Sequence, residues 1–296
     1  MDLTVLAEIL FWGLYAGCIY ILLAVGLNLI FGVMKVVNFA QGELMILAVY
    51  ITFFLHNIFD LDPYLAFCIS IIVMFFVGVG IERLCFRPIM GTGKLNEIFM
   101  SLALIYLIQN AIFITCDNVD LCNDLNRIQS PFGYEKISFG FMELATDHVI
   151  IICVTFSLLV LLHLFMKKTS TGKAMMATSQ NREGAMLTGI NVERMDMLAF
   201  GLGSSFAAAA SLFWISEIPF QTDSGSINAI KAFAVIILGG LGSIPGAIAG
   251  GLLYGVAENL SAYFIGGGWK HATSFIILII VLIIRPTGLF GEKENG

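Results

Sequence analysis

A carboxylate inside a stretch of apolar sequence is the first place to look for chemistry. At the centre of a bilayer it costs about 3 kcal/mol on insertion scales, so it needs a proton, a partner or water. Glu43 is such a group. It follows Asn38 and Gln41 in the segment 35–44, so two amides and a carboxylate stand together at the start of a long apolar run. Two roles fit these residue types. They wall or gate a polar route through a membrane, or Glu43 caps a helix at the interface, where the positive end of the helix dipole favours it.

A second stretch, 238–246, interrupts apolar sequence with Gly239, Gly240, Gly242 and Gly246, together with Ser243 and Pro245. Helix-breaking sequence at membrane depth persists only where protein or a water-filled cavity satisfies the freed backbone groups. A translocation pathway would do this, and so would a tight hairpin between two short helices. A third stretch, 171–190, mixes Ala and Met with polar residues and contains Ala177, Gln180, Asn181, Glu183 and Ala185. Its pattern suits a short amphipathic helix ending at Gly189, one that docks on another subunit or lies on lipid. Lys231, Glu258 and Asn259 are further polar groups within or beside late apolar runs.

Catalytic chemistry is poorly provided for. Gly93-Lys94 and Gly172-Lys173 lack both the following Ser or Thr and the earlier glycine of a phosphate loop, so the chain is not expected to hydrolyse ATP itself. His56, His148, His163 and His271 do not have metal-ligand spacing. Neither a Gly-x-Ser-x-Gly elbow nor a His-Glu-x-x-His pair occurs. No cofactor and no metal bound by this chain is expected.

Composition dictates what positions these groups. Hydrophobic residues make up 58% of the chain and charged ones 12%, against about a quarter charged in soluble domains, and the mean hydropathy is +0.92. No soluble fold of 296 residues hides that much apolar surface. A bilayer does, because an apolar helix of about 20 residues crosses its core of about 30 Å. The expected fold is all-α: a polytopic membrane helix bundle of about eight or nine transmembrane helices in one domain, 1–296. Candidate spans run over 8–34, 42–59, 65–83, 97–115, 148–166, 195–216, 228–241, 246–265 and 271–285. The seventh is short and reads as broken or re-entrant. The segment 1–8 has two acids and no base, unlike a secretory signal, so the first helix is expected to be retained.

Arg83, Arg87 and Lys94 in one loop, and Lys167, Lys168, Lys173, Arg182 and Arg194 in the loop 167–194, place both on the cytoplasmic side by the positive-inside rule. The loop 116–147 carries six acids against Arg127 and Lys136 and falls on the extracytoplasmic side. Nine crossings then put the N-terminus outside and the C-terminus in the cytoplasm. Cys116 and Cys122 share that outer loop and are either bridged or two free thiols. Gly203, Ala207 and Ser211 recur every four residues, as do Gly246 with Gly250 and Gly251 with Gly255, and such faces let helix backbones approach closely. Without a basic block, nucleic acid is not expected as a partner.

On these three stretches the chain resembles the permease subunits of branched-chain amino acid ABC importers, the LivH type. The resemblance is carried by Val37-Asn38-Phe39-Ala40-Gln41-Gly42-Glu43, by segments 185–191 and 238–246, and by Arg285-Pro286-Thr287-Gly288-Leu289-Phe290-Gly291. It implies a second, related permease, two cytoplasmic ATPase subunits that use the ATP, an extracytoplasmic substrate-binding protein and a small-molecule solute, all assembled in membrane lipid. It also implies that Asn38, Gln41 and Glu43 line or gate the pathway and that 177–189 docks on the ATPase. Relatives often carry His where this chain has Gln41, and relatives also move urea or short amides. An ion-coupled secondary transporter is the alternative that Glu43 and the broken seventh span would suit. An intramembrane enzyme would need a constellation that is not present.

Overall fold

The structure, a computed structural model, describes residues 3–119, 122, 126–128, 136–139, 142–215 and 219–269, with 272, 275–276, 279–281, 283 and 288–290 beyond them. The apolar runs become helices α1 (Leu3–Met34), α2 (Gln41–Phe59), α3 (Pro63–Ile81), α4 (Lys94–Val119), α5 (Thr146–Lys168), α8 (Val192–Ala210), α9 (Ser224–Gly239) and α10 (Ile244–Phe264). Two short helices, α6 (Ser170–Gln180) and α7 (Arg182–Leu187), fill the loop between α5 and α8. The loop 116–147 contributes a hairpin of β1 (Lys136–Phe139) and β2 (Met142–Ala145), an addition to the all-α expectation.

Six helices are long and apolar enough to cross a membrane, and α9 and α10 pass that test only together, as a pair bent by 117°. For α9 the reason is length. α9 has 16 residues, about 24 Å at 1.5 Å per residue, which falls short of a hydrocarbon core of about 30 Å. The described residues thus give six separate spans and one bent pair where eight or nine spans were expected. The ninth expected span, 271–285, lies largely outside the described residues.

α1 is the axis of the bundle, with 89% of its apolar window buried, whereas α4 lies at the edge with 22%. Glycine makes the central contacts possible. A Cβ on Gly13 would strike Val256 and one on Gly255 would strike Gly13 and Gly17, while Gly251 packs on Ile21. Rising numbers in α1 meet falling numbers in α10, so the two run antiparallel. The opposite face of α10 uses Gly246 and Gly250 against Gly239 and Val235 of α9, and Gly203 of α8 lies against Gly26 and Ile30. Each small-residue face expected from the sequence meets a neighbouring helix.

Helix starts follow local chemistry. Asp62 accepts from the Tyr64 and Leu65 amides ahead of Pro63 in α3, and Ser243 accepts from the Gly246 amide in α10. Cys116 and Cys122 are joined in a disulfide at the end of α4. Asn126 and Phe220 exchange both backbone hydrogen bonds, tying the loop 116–147 to the segment before α9.

Candidate functional site

The link 35–40 leaves α1 through Lys35 in a left-handed conformation, φ +60°, and side chains then hold its course. Asn38 accepts from the Ala40 amide (3.1 Å) and donates to Gln41 Oε1 (3.4 Å), and Gln41 Nε2 donates to the Gly203 carbonyl of α8 (3.0 Å). That last bond needs Gly26, since a Cβ there would lie 2.7 Å from Gln41 Nε2. One turn into α2, Glu43 is fully buried. Its Oε1 accepts from Gln109 of α4 (3.1 Å) and Ser226 of α9 (2.7 Å), while Oε2 has no hydrogen-bond partner among the described residues. Gly225 lies against that oxygen, and Gly42 backs onto the Gly225 carbonyl. Asn38 and Gln41 therefore meet on the side of α2 that faces α8, whereas the Glu43 carboxylate faces the junction of α2, α4 and α9 rather than capping α2 at an exposed interface.

Gln109 and Ser226 were missed by sequence reasoning. A glutamine in the fourth apolar run was a legible signal, because an intramembrane polar group is rarely idle.

A second buried cluster joins α1, α9 and α10. Lys231 Nζ donates to Glu258 Oε1 (2.6 Å) and to the Tyr20 hydroxyl (3.0 Å), and that hydroxyl donates to Glu258 Oε2 (2.5 Å). Lys231 and Glu258 emerge here as a buried ion pair that fixes the two arms of the bent pair.

At the break between those arms, Gly240 and Gly242 take φ of +107° and +83°. Gly239 and Gly246 touch so closely that neither has room for a Cβ. Protein groups satisfy the freed backbone. Asn28 of α1 accepts from the Gly242 amide (2.9 Å) and donates to the Ser243 carbonyl (3.0 Å), and the Leu289 and Phe290 amides donate to the Leu238 and Gly239 carbonyls. Pro245 stands in the first turn of α10. Asn28, a lone amide in the first apolar run, is the residue that the sequence reading passed over.

In the loop 167–194 the expected single helix is two. Asn181 takes an extended conformation, φ −149°, and its side chain caps α7 by accepting from the Gly184 amide. Asparagine breaks a helix in this way because its side chain competes for backbone groups. The stretch does end at Gly189, φ +84°, where Ile190 donates to Ala185 and Gly189 to Met186, closing the helix in a left-handed cap. Gln180, Asn181, Glu183 and Gly189 are exposed, Ala177 is half-buried and Ala185 is buried. Met186 and Leu187, 53% and 89% exposed, add an apolar tip that the sequence reading did not single out. Arg182 ties this loop to the bundle through two bonds to Asp196 of α8 and one to the Val33 carbonyl of α1.

The family model described as branched-chain amino acid transport system, permease component, matches residues 9–284 of the chain. A high-affinity branched-chain amino acid transport system permease protein, BraD of Pseudomonas aeruginosa, is 33% identical over 291 residues, covering 95% of this chain and 94% of its own length. LivH of Escherichia coli K12, of the same description, is 30% identical over 298 residues, with 96% and 95% covered. The probable LivH of Methanocaldococcus jannaschii is 29% identical over 283 residues, with 92% and 88% covered.

Proposed function

The chain belongs to the family of permease components of branched-chain amino acid transport systems, and from that premise we propose how this bundle imports a solute and with which partners. It is a multi-pass inner-membrane transport subunit and not an enzyme. In our reading it pairs with a second, related permease, two cytoplasmic ATPase subunits bind and hydrolyse the ATP, and an extracytoplasmic binding protein delivers the solute. The solute is a branched-chain amino acid or a close relative. The observation that carries this reading is the family match across residues 9–284.

The N-terminus lies outside and the C-terminus in the cytoplasm. The disulfide at Cys116 and Cys122 supports this, since such bonds form in oxidising compartments. The exposed part of α6 and α7, with Gln180, Asn181, Glu183, Met186 and Leu187, is the surface that meets the ATPase; Ala177 and Ala185 support it from within, and the exposed Gly189 closes its end. Asn38, Gln41 and Glu43 border the pathway, with Gly239, Gly240, Gly242, Ser243 and Pro245 as the tied corner of the α9–α10 pair, which moves as one body. ATP-driven closure of the ATPase pair shifts a two-state population by binding one state better than the other.

Uptake into proteoliposomes tests the assembly. The complete complex is expected to take up radiolabelled leucine only with ATP, and the chain alone to take up none. Robust uptake by the chain alone down an ion gradient would overturn the reading. Glu43→Gln tests the pathway role. It keeps the bonds from Gln109 and Ser226 at Oε1 but removes the charge, so uptake is expected to fall several-fold while expression and thermal stability hold. Lost expression with unaltered specific uptake would make Glu43 a packing residue only.

A further inference from the structure

A cleft of about 300 Å³ lies between α3, α5 and α8, lined by Ile71, Leu158, Leu161, Phe165, Leu202 and Phe206 among others. All three helices are membrane spans, so the cleft opens at hydrocarbon depth. The one polar side chain on its wall, Ser205, donates its hydroxyl to the Ile71 carbonyl (3.3 Å). An occupant therefore meets apolar surface along its whole length. The main neighbours of α5 are α1 and α6, and the cleft holds it off the other two helices. Left empty, such a gap would deprive its lining atoms of dispersion contacts.

The end of the cleft is marked by charge. Leu158, Leu161, Leu162 and Phe165 follow the i, i+3, i+4, i+7 spacing of one helix face. Three residues on, the same face reaches Lys168, with Lys167 beside it. Both lysines are exposed at the end of α5, and neither forms an ion pair among the described residues.

We propose that this cleft is a binding site for one anionic phospholipid, its acyl chain lying between α3, α5 and α8 and its phosphate on Lys167 and Lys168. Apolar length with a negative end is the chemistry of such a lipid, and basic residues at the membrane surface attract anionic headgroups. Lipid held there braces α5, whose last turn leads through Thr169 directly into α6 and the docking surface. The inference requires only that the chain spans a membrane, so it stands or falls separately from the solute.

The test uses the assembled transporter in nanodiscs, with Leu161→Trp reporting from the mouth of the cleft, where Leu161 is 61% exposed. Brominated phosphatidylglycerol is expected to quench the added tryptophan fluorescence at a lower mole fraction than brominated phosphatidylcholine. The preference is expected to drop by roughly fivefold for each lysine removed, in Lys168→Gln and then Lys167→Gln/Lys168→Gln. Native mass spectrometry of the unmodified cleft gives a second reading: retained phosphatidylglycerol that disappears in the double lysine variant. Equal quenching by both lipids with no effect of the lysines would reduce the cleft to bulk lipid contact and overturn the proposal. Protection from both lipids would mean that a partner's helix covers it, which also overturns it.

Discussion

Lys231→Met is expected to remove most of the folded protein from the membrane and to lower the thermal midpoint of what remains more than any other single change considered for this chain. The side chains of Lys231 and Glu258 are 7% and 0% exposed, so removing the ammonium leaves a carboxylate buried without its counter-charge. Breaking such a pair costs about 3–5 kcal/mol, a large part of the roughly 5–15 kcal/mol that holds a folded domain together. Changing both partners, as Lys231→Met/Glu258→Leu, removes the stranded charge but strands the Tyr20 hydroxyl, which donates to Glu258 and accepts from Lys231. An orphaned buried hydroxyl costs about 1–3 kcal/mol. Adding Tyr20→Phe removes that cost too. The expected order of stability is therefore the triple variant above the double and the double above the single, measured by thermal unfolding in detergent. A single variant as stable as the parent would show that the triad does not hold α9 against α10.

That cluster also shows where sequence reading reaches its limit. The membrane bundle, the broken seventh run and the small-residue faces were legible because each is local: an apolar run, four glycines with a proline, a repeat of four residues. Lys231 and Glu258 were visible as polar groups, but their pairing depends on two helices folding back across the break by 117°, and nothing in a separation of 27 residues states that angle. The surroundings of Glu43 were hidden for the same reason, since Gln109 and Ser226 reach it from helices far along the chain. Asn28 was a local signal that went unused. A lone amide in an apolar helix calls for a partner, and its partner is the break. The β1–β2 hairpin offered least, because its strands are four residues each and are set by pairing rather than by a pattern either strand carries alone.

Uptake should fall about tenfold or more in Arg182→Gln/Asp196→Asn, while ATP hydrolysis by the assembled complex stays within about twofold of the parent; a factor of ten corresponds to about 1.4 kcal/mol. Arg182 is the first residue of α7 and so begins the helix whose tip, Met186 and Leu187, meets the ATPase in our reading. Its guanidinium holds Asp196 of α8 by two bonds, 2.9 and 2.5 Å, and reaches the Val33 carbonyl at 3.4 Å. Val33 lies in the last turn of α1, just before the link 35–40 that carries Asn38 and leads into Gln41 and Glu43 of α2. A push on α7 is thus delivered to α8 and to the start of that link at once, and Gln41 meets α8 again at Gly203. The paired substitution is the informative one. Arg182→Gln alone would leave the Asp196 carboxylate, 2% exposed, without its cation and would confuse lost stability with lost coupling. The pair leaves two neutral hydrogen-bonding amides, the glutamine shorter than the arginine it replaces, and gives up the charged bidentate grip, which is the rigid part of the connection. Leu187→Asp provides the contrast, because it alters the docking tip itself and is expected to weaken ATPase binding along with uptake. If uptake per ATP hydrolysed is unaltered in the paired variant, force reaches the proposed pathway by another route, and the Arg182 contacts serve only to fold the loop.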